Sequence, residues 1–404
     1  MREFIVNAST LTPVMVLIIS ATATAFIIPT IVKIAKIKKL VDVPNGRSSH
    51  DSSVPSLGGF AVFLPLSIVL LLFVDFTQYF HLQIFIVGIF IMAFVGVKDD
   101  IIDIDPLKKM MAQLAAATLL VVVGDLQLTT VHGFLGIQSI HPFIGAVLTI
   151  FVILVITNSF NLIDGIDGLA SGVGVLASLT FGVWFVLIGE VQLAILSFAV
   201  IGGFSAFFYF NISHGKNKIF MGDTGSLILG FSLAYLTIQF NELNAVSQPY
   251  QIASAPAVSF GILIVPLFDT LRVFLIRAVN GKSPFSPDKL HVHHRLLFLK
   301  DSHKKATFTI LAFNTFFIIL VLFLQEIGIL YLVALEVAVA LLFSYIPIYF
   351  IKRMEYKKFT AKEKEEYEAL TVKEKLVYDR MNIDHIIHQR EKNNVRKSYK
   401  KVKS

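Results

Sequence analysis

Apolar residues along this chain of 404 residues gather in long blocks and follow neither a helical stripe nor strand-like alternation. The blocks run over 11–32, 58–75, 83–97, 110–124, 143–160, 170–189, 191–210, 223–240, 253–272, 307–325 and 329–351. A helix needs about 20 apolar residues to cross a hydrocarbon core of roughly 30 Å. Lipid admits only helices and closed barrels, because it cannot hydrogen-bond an open backbone. The alternating segments of a barrel are missing, so the pattern predicts an all-α, polytopic integral membrane protein. Eleven transmembrane helices are expected, with ten as the alternative because the third and fourth blocks are short. Two regions follow: a membrane catalytic domain over 1–351 and a partly helical tail over 352–404. The first block is too long for a signal-peptide core and is expected to be retained.

Composition agrees: 55% of residues are hydrophobic, 16% are charged and the mean hydropathy is +0.74. There is no cysteine, which excludes disulfides and thiolate metal sites. Charge adds orientation. Of the 35 Lys and Arg, 34 lie in alternate connections, at the end of the ninth block or in the tail, and only Arg2 falls on the other side. The positive-inside rule then puts the N-terminus outside and the C-terminus in the cytoplasm, as an odd number of spans requires. The tail holds 16 basic and 9 acidic residues. It reads as a solvated helix with a basic end, and docking of that end on anionic membrane lipid, at roughly 1 kcal/mol per residue, is the sharper alternative. No nucleic-acid partner is expected. Residues 125–142 alternate around Gly133 and Gly136 like a small hairpin, where His132 and His141 have no expected chemical role.

All five polar clusters fall on the predicted inner side: 42–59, "KDDIIDID" at 98–105, "NSFNLIDGIDGLASG" at 158–172, "KIFMGDTGSLILG" at 218–230 and "SPFSPDKLHVHHRLL" at 283–297. A transporter would keep ionisable groups near the bilayer midplane; here they line one interface, as in an enzyme joining a lipid to a water-soluble partner. Asp99 and Asp100 open a run of four acids in seven residues, a repulsion that a cation such as Mg²⁺ would offset. Asn158, Asn161, Asp164 and Asp167 recur every three residues and so share one helix face. Gly222, Asp223, Thr224, Gly225 and Ser226 precede an apolar helix, where a carboxylate could cap the helix or hold a metal beside a phosphate. His291, His293 and His294 beside Arg295 read better as an anion site than as zinc ligands, and Arg47 and His50 could join it. Glu336 lies mid-span with no partner legible in the sequence.

In this order, "PSLGG", "KDD", "NxxNxxDGxDGL", "GDTGS" and "SPFSPDKLHVHH" resemble the polyprenyl-phosphate N-acetylhexosamine-1-phosphate transferases, over about residues 11–350. "HVHH" after "SPFSPD" is similar to the branch that uses UDP-N-acetylglucosamine with undecaprenyl phosphate. It departs from the Pro-led triple histidine of the UDP-muramoyl-pentapeptide branch. The resemblance implies that a lipid phosphate attacks the β-phosphorus of a UDP-sugar and releases UMP, starting a cell-envelope polysaccharide at the cytoplasmic face of a bacterial inner membrane. It also implies Mg²⁺, with Mn²⁺ as a substitute, held by Asp223 and Asn161. Asp99, Asp100, Asp164 and Asp167 would be the catalytic carboxylates, and Arg47, His50, Asn158, Gly222, Thr224, Ser226, His291, His293, His294 and Arg295 would bind substrate. A homodimer is compatible with this reading. The rivals are a related enzyme with another UDP-sugar and, from a different class, a transporter of a phosphorylated lipid.

Overall fold

The computed structural model describes residues 11–38, 40–42, 54–281, 291–300 and 302–356, with five positions of the tail. The expectations for Arg47, for His50 and for most of the tail lie outside the described residues. Helix α1 spans Thr12–Ile37, and a two-residue antiparallel pair, β1 (Val41–Asp42) with β2 (Val54–Pro55), leads to α2 (Gly58–Phe73). Then come α3 (Phe80–Ile101), α4 (Pro106–Val122), α5 (Pro142–Ile163), α6 (Leu169–Leu187), α7 (Val191–Ile212) and α8 (Gly222–Asn244). The last part holds α9 (Ala255–Ile262), α10 (Ile264–Val279), α11 (Val292–Lys300), α12 (His303–Phe323) and α13 (Ile329–Tyr356).

Every predicted block has helix beneath it. Among the described residues, seven helices (α1, α3, α5, α6, α7, α12 and α13) are long and apolar enough to cross a membrane, and α9 with α10 form a broken span bent by 84°. Helices α2 and α4 have only 16 and 17 residues. Helix α8 falls short for a different reason: it packs against α2, α3, α5 and α6 and is buried by protein along most of its length. A helix sheathed by protein can carry polar side chains that lipid would not tolerate. Accordingly Ser232 and Thr237 donate back to the carbonyls of Ile228 and Leu233, both at 2.7 Å. An aromatic core supports its middle, where Phe231 stacks on Phe85 with ring centroids 5.6 Å apart.

The start of α8 is where the bundle closes most tightly. A Cβ on Gly59 would lie 2.0 Å from the backbone nitrogen of Gly225, and one on Gly96 would lie 2.3 Å from the Cα of Thr224. Only glycine lets α2 and α3 approach the α8 backbone so closely. Backbone bonds add to the clasp: Gly58 and Gly59 donate to the carbonyls of Phe220 and Met221 at 2.9 and 2.8 Å, and Phe220 donates to Pro55 at 2.8 Å. The hairpin expected over 125–142 is present, with a bridge between Thr130 and Ser139. It sits on the far end of α8, where Thr129 bonds Glu242 and a His132 ring nitrogen lies 2.9 Å from the Asn241 carbonyl oxygen.

Candidate active site

Helix α3 ends in Asp99 and Asp100, and their two carboxylates face different tasks. Asp100 accepts from the backbone N–H of Asp223 at 2.7 Å, from that of Thr224 at 3.2 Å and from the Thr224 hydroxyl at 2.6 Å. It therefore caps α8, and those two N–H groups are not available to a phosphate. Gly222, at φ +69°, makes the turn that allows this: a Cβ there would come within 2.6 Å of both Asp100 carboxylate oxygens. Asp99 instead accepts from the Ile104 backbone at 2.7 Å through Oδ1, which fixes the α3–α4 turn, and meets the Lys109 ammonium at 2.6 Å through Oδ2. Of the other acids in the run, Asp105 caps α4 by accepting from the Leu107 N–H at 2.9 Å.

Lys109 is the group that the sequence counted only as a loop charge. Its ammonium sits between Asp99 and Asp223, donating to both. The other oxygen of Asp223 accepts from the Asn161 amide at 2.6 Å, and that amide also donates to the Ser226 hydroxyl at 2.9 Å. Asn161 thus braces Asp223. Asp164 follows immediately after α5, within electrostatic reach of the same carboxylates. Burial, reinforced by the charges of Asp223, Asp100 and Asp167, pushes its carboxyl well above the usual carboxylate range. Asp99, Asp164 and Asp223 supply hard oxygens for a divalent cation, and the Lys109 ammonium already stands between two of them as a cation would. The residues fit a magnesium ion.

Two expected participants are occupied elsewhere. Asp167 is buried and paired with Lys218 at 2.6 Å, its backbone N–H lies 3.3 Å from His303 Nδ1, and its carbonyl accepts from the Thr307 hydroxyl at 2.7 Å. It ties α12 and the loop before α8 to the loop after α5. Asn158 donates to Gln113 Oε1 at 2.7 Å and to the Leu154 carbonyl at 2.8 Å, clipping α4 to α5. Asn158→Ala should lower stability by about 1 kcal/mol and leave the apparent affinity for substrate unchanged. Thermal unfolding alongside initial rates checks both.

The histidines form a second cluster, organised by a residue that the sequence reading missed. Asp269 of α10 accepts from Arg272 at 2.7 Å and from the Val292 N–H at 3.2 Å, and lies 3.0 Å from His291 Nδ1. It caps α11 and orients His291. The signal for it was an ionisable residue near the end of the ninth apolar block. His293 is buried, with its Nδ1 3.9 Å from Asp269 and its Nε2 against the loop after α5, where a Cβ on Gly165 would lie 2.5 Å from that nitrogen. Burial, with His294 and His291 nearby, lowers its pKa well below the ordinary histidine value, which favours the neutral ring. Donor atoms of Asp269, His291 and His293 lie within 4.8 Å of one another. The Asp269 carboxylate is already matched by a guanidinium, a backbone N–H and an imidazole, so hydrogen bonding accounts for the cluster better than a metal does. Arg295 is likewise buried on α11, while His294 is partly exposed. The histidine arm therefore packs against the loop that carries Asp164 and Asp167.

A sequence model described as glycosyl transferase family 4 matches residues 82–241, which cover nearly all of α3, all of α4 to α7 and most of α8. The undecaprenyl-phosphate alpha-N-acetylglucosaminyl 1-phosphate transferase of Escherichia coli O157:H7 is 30% identical over 271 residues, 66% of this chain and 71% of that protein. The protein of that name from Yersinia pestis is 31% identical over 261 residues, 64% of this chain and 69% of its own. A probable undecaprenyl-phosphate N-acetylglucosaminyl 1-phosphate transferase of Bacillus subtilis is 33% identical over 300 residues, 74% of this chain and 81% of its own. The chain belongs to glycosyl transferase family 4. It is an enzyme of a polytopic membrane type, and the family match spans Asp99, Asp100, Lys109, Asn161, Asp164 and Asp223. Asp269 and the histidine arm lie beyond the family match.

Proposed function

We propose that this family 4 enzyme transfers N-acetylglucosamine 1-phosphate from UDP-N-acetylglucosamine to undecaprenyl phosphate, forming a lipid-linked pyrophosphoryl sugar and UMP. The observation that carries the reading is the meeting of Asp99 and Asp223 at the Lys109 ammonium, with Asp164 within electrostatic reach of Asp223, at one end of the bundle. Two polyanions must come together for this reaction, and a site of carboxylates with a mobile cation between them suits that task. The names of the bacterial relatives support the donor and the lipid acceptor. In the reading, an oxygen of the lipid phosphate bonds to the β-phosphorus, the bond from that phosphorus to the bridging oxygen breaks, and the electron pair leaves on UMP. Magnesium, held by Asp223 with Asp99 and Asp164 beside it, would withdraw charge from the diphosphate. Lys109 turns from the carboxylates to the phosphate oxygens. Asn161 holds Asp223 in line, and Asp100 keeps the start of α8 in place.

The basic connections favour a cytoplasmic setting for this end of the bundle, for which eleven spans with the N-terminus outside would be the matching topology. The inner membrane of a bacterium is the corresponding location, and initiation of a cell-envelope polysaccharide is the role. Purified protein with undecaprenyl phosphate, Mg²⁺ and a panel of UDP-sugars should release UMP with UDP-N-acetylglucosamine; turnover only with another donor would reassign the sugar. Burial and the neighbouring carboxylates raise the Asp164 carboxyl, so a proton competes with the metal there. The Mg²⁺ concentration for half-maximal rate should therefore rise as pH is lowered, which a Mg²⁺ titration at several pH values measures.

A further inference from the structure

Away from Lys109 and its carboxylates, two helices leave buried side-chain oxygens unsatisfied beside the end of a third. Glu336 of α13 is fully buried, and neither carboxyl oxygen has a hydrogen-bond partner among the described residues. Its Oε1 lies against Gly261, close enough that a Cβ there would be 2.8 Å away. Gly261 is the penultimate residue of α9, just before the 84° break at Leu263. From α12, the buried Asn314 donates to the Ile262 carbonyl at 3.4 Å and leaves its own Oδ1 without a partner. A lone carboxylate beside Gly261 and an amide beside Ile262 thus flank the negative end of a half-helix in an apolar interior. An ionised, unpaired carboxylate there is very costly, and the adjoining helix C-terminus makes it worse.

We propose that the break between α9 and α10 binds a single positive charge, a sodium ion or a proton, through Glu336 with Asn314 and the terminal carbonyls of α9. Hard oxygens from a carboxylate, an amide and an interrupted helix are the ligands such a charge takes inside a membrane. Among the described residues, no charged group is within hydrogen-bond reach of Glu336. Helix α9 has no titratable residue; on α10, Asp269 and Arg272 bind each other; on α12, His303, Lys304 and Lys305 sit nine or more residues before Asn314. The site has a consequence for the active centre. Helix α10 carries Asp269 six residues past the break. A cavity lined by Val265, Phe268, His293, Phe313, Ala340 and Ser344 lies against α10. Ala340 and Ser344 follow Glu336 at four-residue steps on one face of α13. The bound charge fixes the direction of α10 and with it the Asp269–His291 pair.

Thermal unfolding of the full chain in detergent, without any substrate, separates the sources and is independent of the sugar reaction. If sodium is the ligand, exchanging N-methylglucamine for Na⁺ at constant ionic strength raises the melting temperature of the parent by several degrees and leaves Glu336→Gln unmoved. If the proton is the ligand, the exchange changes nothing. In that case the parent loses more stability than Glu336→Gln does as pH rises from about 6 to about 9, because raising the pH strips the bound charge from the parent alone. Asn314→Ala keeps the test open should Glu336→Gln fail to fold: it weakens the response to Na⁺ severalfold, or leaves the pH response in place if the ligand is a proton. A parent indifferent to both Na⁺ and pH, or a Glu336→Gln variant that responds as the parent does, overturns the proposal.

Discussion

Asp223→Ala should abolish Mg²⁺-dependent UMP release, with a loss of at least about a thousandfold in turnover. Asp223 meets Lys109 through one oxygen and Asn161 through the other, so its removal takes away both the proposed metal ligand and a partner that holds the ammonium in place. The fold should survive. Asp100 caps α8 through the backbone of residues 223 and 224 and needs nothing from the Asp223 side chain. The close approach of Gly59 to Gly225 is backbone on backbone as well. Initial rates with UDP-N-acetylglucosamine, together with a melting temperature near that of the parent, test the claim; near-normal turnover would remove Asp223 from the site.

The second result concerns two neighbours with opposite signatures. Asp99→Asn should abolish turnover with little change in stability, because the new side chain still accepts from Ile104 through its oxygen but turns an amide N–H₂ toward the Lys109 ammonium. Asp100→Asn should cost stability as well as activity. Three donors now converge on the Asp100 carboxylate, and an amide can satisfy only those on its oxygen, leaving its N–H₂ against another donor. Losing that much of a helix cap costs about 1–2 kcal/mol. Melting temperatures of the two variants, measured beside UMP release, make the comparison. If the order of stabilities were reversed, the division of labour between capping and chemistry would be wrong.

That division shows where the linear pattern stops being informative. The acids of "KDDIIDID" read alike along the chain, yet Asp99 faces an ammonium, Asp100 caps a distant helix and Asp105 caps the next one. The deciding partners are remote: Lys109 is 114 positions from Asp223, and Asp100 is 123. The three-residue spacing from Asn158 to Asp167 placed the four groups on one face, but a face points at several neighbours at once. Asn158 turned to Gln113, Asn161 to Asp223 and Asp167 to Lys218. The histidine arm was legible as a cluster, whereas its buried setting and its anchor, Asp269, were not.

The sequence by itself determined that this is a helical membrane protein and where its apolar segments lie, because lipid imposes a contiguous run of apolar residues that no distant contact can replace. It also determined which polar segments could meet, since the positive-inside rule sorts loops by charge before any packing is known. Only the tertiary structure decided which helices are sheathed by protein, that the ninth block is broken at Leu263, and which carboxylate opposes Lys109. Those are matters of approach at the scale of a hydrogen bond, set by how glycine-lined helices cross, and a one-dimensional pattern carries no distances.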